Sequence, residues 1–220
     1  MRLVILQLTE REITFSINPK KRMDKFSYAI GLGIGQNLLS MGAKGIEVDD
    51  FAQAVKDVLE GNKTAISHAE ARDIVNKYFA ELEEKMNAAN IEEGKRFLEE
   101  NKKRPNVITL PSGLQYEVIN EGRIGKYATA SDQVKCHYEG TLIDGTLFDS
   151  SIKRGQPAVF GVSQVIPGWV EALQLMPEGA KWKLYIPSDL AYGAQGAGEM
   201  IPPHSTLVFE VELLEILSQK

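Results

Sequence analysis

Cys136 and His137 are adjacent, and a thiol beside an imidazole could make an activated nucleophile. They sit in a run from Val134 to Glu139 in which apolar and polar residues alternate, and along a strand neighbours point to opposite faces. The expectation is therefore a small buried thiol and a surface imidazole, not a nucleophile with its base. One cysteine and three histidines (His68, His137 and His204) supply neither an intramolecular disulfide nor a structural zinc site. No G-x-S-x-G, H-E-x-x-H, phosphate-binding loop or EF-hand loop occurs. The run Gly31-Leu32-Gly33-Ile34-Gly35 lacks nucleotide-loop spacing, and no strand precedes it. Gly31 and Gly35 are four apart, which opens one helix face to a close neighbour.

The remaining candidates are aromatic. Tyr138, Phe148, Phe160, Trp169, Tyr192 and Phe209 are spread over separate elements of the second half. Asp149 directly follows Phe148, Val165-Ile166-Pro167-Gly168-Trp169 delivers Trp169 to the start of a short helix, and Tyr192 lies in a glycine-rich loop. Any one of these rings, taken alone, is core. Together with a carboxylate they describe an apolar pocket suited to binding or isomerisation without covalent chemistry. Asp149 also has a plainer reading, as a turn-capping carboxylate ahead of Ser150-Ser151.

The elements that must position these residues fall into two halves. Eight of the nine prolines lie at Pro105 or later, and proline is tolerated in turns but poorly inside helices. Before that point the apolar spacing predicts helices over roughly 27–41 (Ile30, Ile34, Leu38, Met41), 50–60 (Phe51, Val55, Val58, Leu59) and 67–101. Asp50 with Gln53, and Ser67 with Glu70, have capping-box spacing, and Gly42, Gly45 and Gly61 are stops. The third helix, some 35 residues and about 50 Å long at about 1.5 Å per residue, carries an apolar face that includes Ile74 and Leu98. Two short helices cannot cover that face, and a second copy of the chain is the simplest cover.

From Val107 the period becomes two. Leu114, Tyr116 and Val118; Val134, Cys136 and Tyr138; Trp182, Leu184 and Ile186; and Leu207, Phe209, Val211 and Leu213 each alternate with polar neighbours, as strands with one buried face do. Asp144-Gly145, Pro177-Glu178-Gly179 and Gly193 to Gly198 read as turns, and Gly168 to Leu175 as one short helix. The fold class is α+β: an all-α first half ending in one long connecting helix, then an antiparallel sheet wrapped around a short helix. The boundaries are 1–22 for a poorly ordered extension, upstream of a natural start at Met23, then 23–104 and 105–220.

Five segments carry a resemblance: Tyr138-Glu139-Gly140-Thr141-Leu142, Asp144 to Ser151, Val165 to Trp169, Ala191-Tyr192-Gly193 and Ile201 to Phe209. In this order they resemble the signature of FKBP-type peptidyl-prolyl cis-trans isomerases, over essentially all of residues 113–217. The helical half resembles the dimerisation arm of Mip-like bacterial members. The resemblance implies rotation of X-Pro bonds in polypeptides, in a pocket lined by Tyr138, Phe148, Phe160, Val165, Ile166, Trp169, Tyr192, Ile201 and Phe209. Trp169 would be its floor, and the Ile166 N–H would hold a ligand carbonyl. Asp149 and Tyr192 would be its polar groups, with Asp149 turned either to the twisting carbonyl or to Tyr138. It further implies a homodimer through the N-terminal helices, proline-containing and unfolded polypeptides as partners, and a macrolide as a candidate ligand. Ala158, Ala197 and Gln164 depart from the drug-binding eukaryotic pattern and predict a wider pocket mouth. The loop from Tyr192 to Pro202 is short and the tail, Ser218-Gln219-Lys220, is plain, so no metal and no other cofactor is expected. The alternative is a dimeric chaperone that cradles unfolded chains between two arms, with isomerisation incidental.

The net charge of −5 argues against nucleic acid and membrane surfaces, which select a basic face. The apolar run Leu3-Val4-Ile5-Leu6 is too short for a signal-peptide core and is broken by Glu10, Arg11 and Glu12. No stretch approaches the roughly 18 apolar residues of a membrane span. The cytoplasm is the expected compartment.

Overall fold

Helix ends form where orphaned backbone groups find partners. In the computed structural model residues 23–217 are described, so the extension expected over 1–22 lies outside the described residues. Helix α1 spans Lys25–Ser40, and the Asp24 carboxylate accepts from the Ser27 N–H at 2.8 Å. Gly42, at φ 74°, ends it: the Ala43 N–H donates to the Leu38 carbonyl at 2.9 Å and the Gly42 N–H to that of Leu39 at 3.0 Å. Helix α2, Val48–Glu60, ends in the same way at Gly61, with the Asn62 N–H on the Asp57 carbonyl at 2.8 Å. The capping box expected at Asp50 and Gln53 does not form. The helix starts earlier, leaving Asp49 and Asp50 in its first turn, where carboxylates suit the positive end of the helix dipole. Gln53 instead donates to Asp57 Oδ1 at 2.8 Å.

Neither α1 nor α2 buries a single residue. Phe26 is 74% exposed, Leu32 60% and Leu59 81%. A Cβ placed at Gly31 or Gly35 would meet nothing within 4 Å. These two helices belong to a compact unit that ends at His68.

Helix α3, His68–Asn101, is 34 residues long and lies, from Ala69, in the second unit. The change of composition at 104/105 marks the passage from helix to strand, whereas the compact units divide at His68. The physical reason is that the end of α3 is bonded into the sheet. Buried Asn101 donates through Nδ2 to Gln115 Oε1 at 2.9 Å, and Gln115 Nε2 donates to the Leu98 carbonyl at 2.9 Å. Earlier on the helix, Ile74, Val75, Tyr78 and Met86 stand exposed.

The strands are β1 (Ile108–Thr109), β2 (Gln115–Asn120), β3 (Arg123–Tyr127), β4 (Gln133–Leu142), β5 (Leu147–Ser150), β6 (Ala158–Gly161), β7 (Pro177–Glu178), β8 (Lys181–Ile186) and β9 (Leu207–Leu217), with helix α4 (Pro167–Leu175) between β6 and β7. Seven strands form one antiparallel sheet in the order β1-β2-β8-β9-β4-β5, with β6 also paired to β4. The long central strands β4 and β9 pair Cys136 with Leu213, Tyr138 with Val211 and Gly140 with Phe209. The expected turn at Pro177-Glu178-Gly179 is in part a strand, since β7 pairs with β3. Glu178 draws it in: its buried carboxylate accepts from Lys126 Nζ at 2.5 Å and from the Ile216 N–H at 2.9 Å. Gly179, at φ 80°, then makes the turn.

The core lies between the sheet and α4, which buries Gly168, Trp169, Ala172 and Leu173 against Val134, Cys136, Leu184, Ile186, Val211 and Leu213. Among the described residues no helix is long and apolar enough to cross a membrane.

Candidate active site

Alternation along β4 settles the first candidate pair. Cys136 is fully buried and His137 half-buried on the other face, its Nδ1 3.1 Å from Ser151 Oγ. Burial pushes the Cys136 thiol up to about 12, so it is no nucleophile near neutral pH.

The same alternation turns Tyr138 inward, two residues after Cys136, towards Trp169. Trp169 reaches that position because Pro167 starts α4 at its first turn and Trp169 follows in the same turn, facing the sheet. Three rings meet the Trp169 indole edge-on: Tyr138 at 5.3 Å and 88°, Phe160 at 5.6 Å and 79°, and Phe209 at 5.3 Å and 82°. Phe148 closes on Phe209 at 5.4 Å and 81°. Such edge-to-face pairs are the favoured aromatic geometry. Gly140 lets these rings in, since a Cβ there would lie 2.6 Å from Phe148 Cε2 and 2.7 Å from Phe209 Cε1.

Above the rings is a cavity of about 680 Å³. Tyr138, Phe148, Asp149, Phe160, Val165 and Ile166 line it, as do Trp169, Tyr192, Ile201 and Phe209. Every residue that the resemblance placed in the pocket is thus brought to one wall or another. Gln164 and Ala197, two of the three departures, also line it, while Ala158 packs against the core beside it. The Trp169 Nε1 donor is buried without an acceptor among the described residues. Ile166 caps α4 through its carbonyl, which accepts from the Trp169 and Val170 N–H groups at 2.9 and 3.1 Å.

At one rim the polar groups converge. The Tyr138 hydroxyl donates to Asp149 Oδ2 at 2.5 Å. Arg154 donates to Asp149 Oδ1 through one guanidinium nitrogen and to the Tyr138 hydroxyl, at 2.8 Å, through the other. Its guanidinium also lies 5.6 Å from the centre of the Tyr138 ring. Burial raises the Asp149 carboxyl, but the hydrogen bonds from Tyr138 and Arg154 outweigh it and hold the group below its ordinary value. Burial, and then the bond to Asp149, push the Tyr138 phenol up. The rim therefore keeps an ionised carboxylate and a protonated phenol across the neutral range.

Arg154 was not legible in the sequence. The only signal was a cation five residues after Asp149 in a turn-rich stretch, and the residues between give it no helical or strand phase. Met200, which lines the mouth, was likewise hidden within an unpatterned glycine-rich loop. Among the described residues no group of histidine, cysteine and acidic side chains could hold a metal ion.

Residues 125–214 match the family described as FKBP-type peptidyl-prolyl cis-trans isomerase, and residues 23–118 the domain amino terminal to FKBP-type peptidyl-prolyl isomerase. The chain is 50% identical over 198 residues to the FKBP-type 22 kDa peptidyl-prolyl cis-trans isomerase of Escherichia coli K12, a match covering 87% of this chain and 94% of that one. It is 42% identical over 200 residues to the outer membrane protein MIP of Legionella longbeachae, covering 88% and 85%. The crystal structure of FkpA from Escherichia coli superposes with a TM-score of 0.72 at 35% identity, covering 90% of this chain and 98% of that one. A ring-walled cavity with no nucleophile, on a sheet-and-helix scaffold matched over nearly its whole length, has one consistent assignment: the chain belongs to the FKBP-type peptidyl-prolyl cis-trans isomerases.

Proposed function

We propose that this isomerase turns X-Pro bonds of polypeptides within the ring-lined cavity, by non-covalent stabilisation of the twisted amide. Rotation about the bond faces about 18–20 kcal/mol, because amide resonance is lost on the way. The planar amide is more polar than the twisted one. A dry apolar site therefore disfavours the ground state relative to water, and interactions made in the twisted state lower the barrier. The proline ring rests on Trp169 between Phe160 and Phe209. The Ile166 N–H and the Tyr192 hydroxyl hold the flanking carbonyls. The twisting carbonyl meets the rim formed by Tyr138, Asp149 and Arg154. The observation that carries this reading is the cavity itself, with its edge-on rings and one charged rim.

The test is acceleration of cis-trans isomerisation of a prolyl tetrapeptide, with and without a macrolide ligand. Acceleration that the macrolide blocks supports the cavity. Acceleration that it leaves untouched keeps the activity and assigns the loss of drug affinity to the mouth at Gln164 and Ala197. A well-folded chain with no acceleration would overturn the reading.

A second observation favours a further role. Apolar residues of α1, α2 and the first half of α3 stand exposed, more than a monomer in water ordinarily leaves uncovered. The cover proposed is a second copy of the chain, giving a homodimer whose helical arms hold unfolded polypeptide. Sedimentation or light scattering tests the dimer. Comparison of the whole chain with residues 69–220, which keep α3 and its bonds to the sheet, in refolding of a proline-limited protein tests the arms. A monomer at micromolar concentration would remove both.

A further inference from the structure

The loop that brings Ala197, Met200 and Ile201 to the mouth of the cavity has little regular structure. Its one bridge joins Ala197 and Ile201, N–H to carbonyl in both directions, at 2.9 and 3.1 Å. The limb that returns from this hairpin, Pro202 to Thr206, contains His204 at φ 59°, the one non-glycine residue of positive φ among the described residues. A side chain in the left-handed region crowds its own backbone, so such a turn persists only where its surroundings hold it.

Several holds are visible. The His204 N–H donates to the Gly193 carbonyl at 2.8 Å, and Ser205 Oγ to the Pro202 carbonyl at 2.7 Å. The others come from α3. Asn90 Nδ2 donates to the Pro203 carbonyl at 2.9 Å. One helical turn later Gly94 is buried against Thr206, so closely that a Cβ would collide with Thr206 Oγ1 and lie 3.3 Å from Thr206 Cβ. Asn90 and Gly94 are four residues apart and share a helix face. The two therefore bracket the strained residue, one at Pro203 and one at Thr206. Neither touches the cavity. A separate crevice of about 190 Å³, lined by Asn90, Glu93, Pro202, Ser205 and Thr206 among others, leaves the limb room to shift once a hold is lost.

From this juxtaposition we infer that Asn90 and Gly94 of α3 are positioning residues of the prolyl pocket: they hold the left-handed turn at His204 and so set where Met200 and Ile201 stand beside the residue that precedes proline. The inference rests on the cavity being the prolyl site. It assigns to the long helix a part in substrate discrimination, apart from any part in bringing two chains together. Glycine suits position 94 because the Thr206 side chain fills the space a Cβ would take, and asparagine suits position 90 because the Pro203 carbonyl needs a donor.

The experiment compares full-length variants on prolyl tetrapeptides that differ only in the residue before proline, a small, a branched, an aromatic and an acidic one. Gly94→Ala is expected to lower kcat/KM about tenfold for the peptides with large residues and far less for the small one, the scale expected of a sub-ångström to ångström misplacement. Asn90→Leu, which keeps the number and branching of heavy atoms and removes the donor, is expected to give a loss of about threefold to fivefold in the same order. Thr206→Ala vacates the space a methyl group needs, so Gly94→Ala with Thr206→Ala is expected to return to within about twofold of Thr206→Ala alone. A merely structural role would lower all peptides equally and allow no such rescue. Equal losses on every peptide without rescue, or wild-type values in both single variants, would overturn the inference. Should Gly94→Ala not fold, Asn90→Leu decides alone. Failure of the cavity reading shows separately, as unaltered rates when Trp169 or Phe209 is replaced in an otherwise unchanged chain.

Discussion

Two tyrosines of this protein are held by nearly the same set of groups, in two different places. The Tyr138 hydroxyl donates to Asp149 at 2.5 Å, and Arg154 bonds both. The Tyr185 hydroxyl donates to Glu117 at 2.5 Å, and Arg104 bonds both, at 2.9 Å to the hydroxyl and 2.6 Å to the carboxylate. In each case the guanidinium also lies by the tyrosine ring, at 5.6 Å and 6.0 Å. In each case burial and the carboxylate push the phenol up. The difference is what lies on top. Over Tyr185 sits the end of α3, with Phe97 at 5.9 Å and the buried Asn101 bonded to Arg104, and the Glu117 side chain is only 15% exposed. Beside Tyr138 is the cavity, and the Asp149 side chain is 41% exposed. The same three chemical groups make a fastening in one place and the rim of a binding site in the other. A tyrosine, a carboxylate and an arginine are therefore not a site until a ligand can reach them.

The largest expected effect separates the two carboxylates. Asp149→Ala leaves Tyr138 and Arg154 unpaired at the cavity and should lower kcat/KM on a prolyl tetrapeptide by about tenfold to a hundredfold, or about 1.4 to 2.7 kcal/mol of barrier. Glu117→Ala should leave kcat/KM within about twofold and lower stability by about 1–3 kcal/mol, measured by urea denaturation. Equal activity losses would abolish the contrast between the clusters.

The tyrosines should follow the same division more gently. Tyr138→Phe removes one hydroxyl from the rim, with an expected loss of about threefold to tenfold in kcat/KM. Tyr185→Phe should cost about 1 kcal/mol of stability and leave the rate alone.

The pH profile sharpens the contrast further. Asp149 is held below its ordinary value and so is ionised through the neutral range, and Tyr138 is raised and so stays protonated. The rate should be flat from roughly pH 5 to about 9. A group of lowered pKa contributes stability above its unfolded value and loses it as pH falls through the folded one. The paired rim should therefore weaken only below the ordinary carboxylate range. A bell-shaped profile centred near neutrality would mean that some other titrating group acts in the cavity.

The smallest effect is at Cys136. With its thiol raised to about 12 by burial, native protein should react with a thiol reagent only as fast as it opens, and Cys136→Ala should leave kcat/KM unchanged. Rapid labelling accompanied by loss of rate would place the thiol within reach of the cavity.

Much of the scaffold was legible because it is written in local periods. Alternation at Val134, Cys136 and Tyr138 separated the thiol from His137 and turned Tyr138 inward, and Leu207 to Leu213 did the same for Phe209. Pro167 ahead of Trp169 marked the first turn of α4, and Gly42 and Gly61 marked helix ends that later proved to need positive φ. These are properties of a few consecutive residues, decided by sterics and by burial of one face. The start of α2 was misplaced because acidic residues serve a helix equally well as caps and inside the first turn.

What only the tertiary structure decided depends on residues distant in sequence or on loops without a period. Arg154 joins Asp149 and Tyr138 through a turn whose conformation no pattern encodes. Arg104 meets Glu117 and Tyr185, and Asn90 meets Pro203, across long sequence separations that carry no local signature. Which of two like clusters lies open, and where the chain divides into compact units, follow from how the end of α3 is fastened to the sheet. By itself the sequence determined which side chains face the core and which elements bear them. The packing of α3 and of the loops determined which of those groups a substrate can reach, because access is a property of the space left between elements, and no single element contains it.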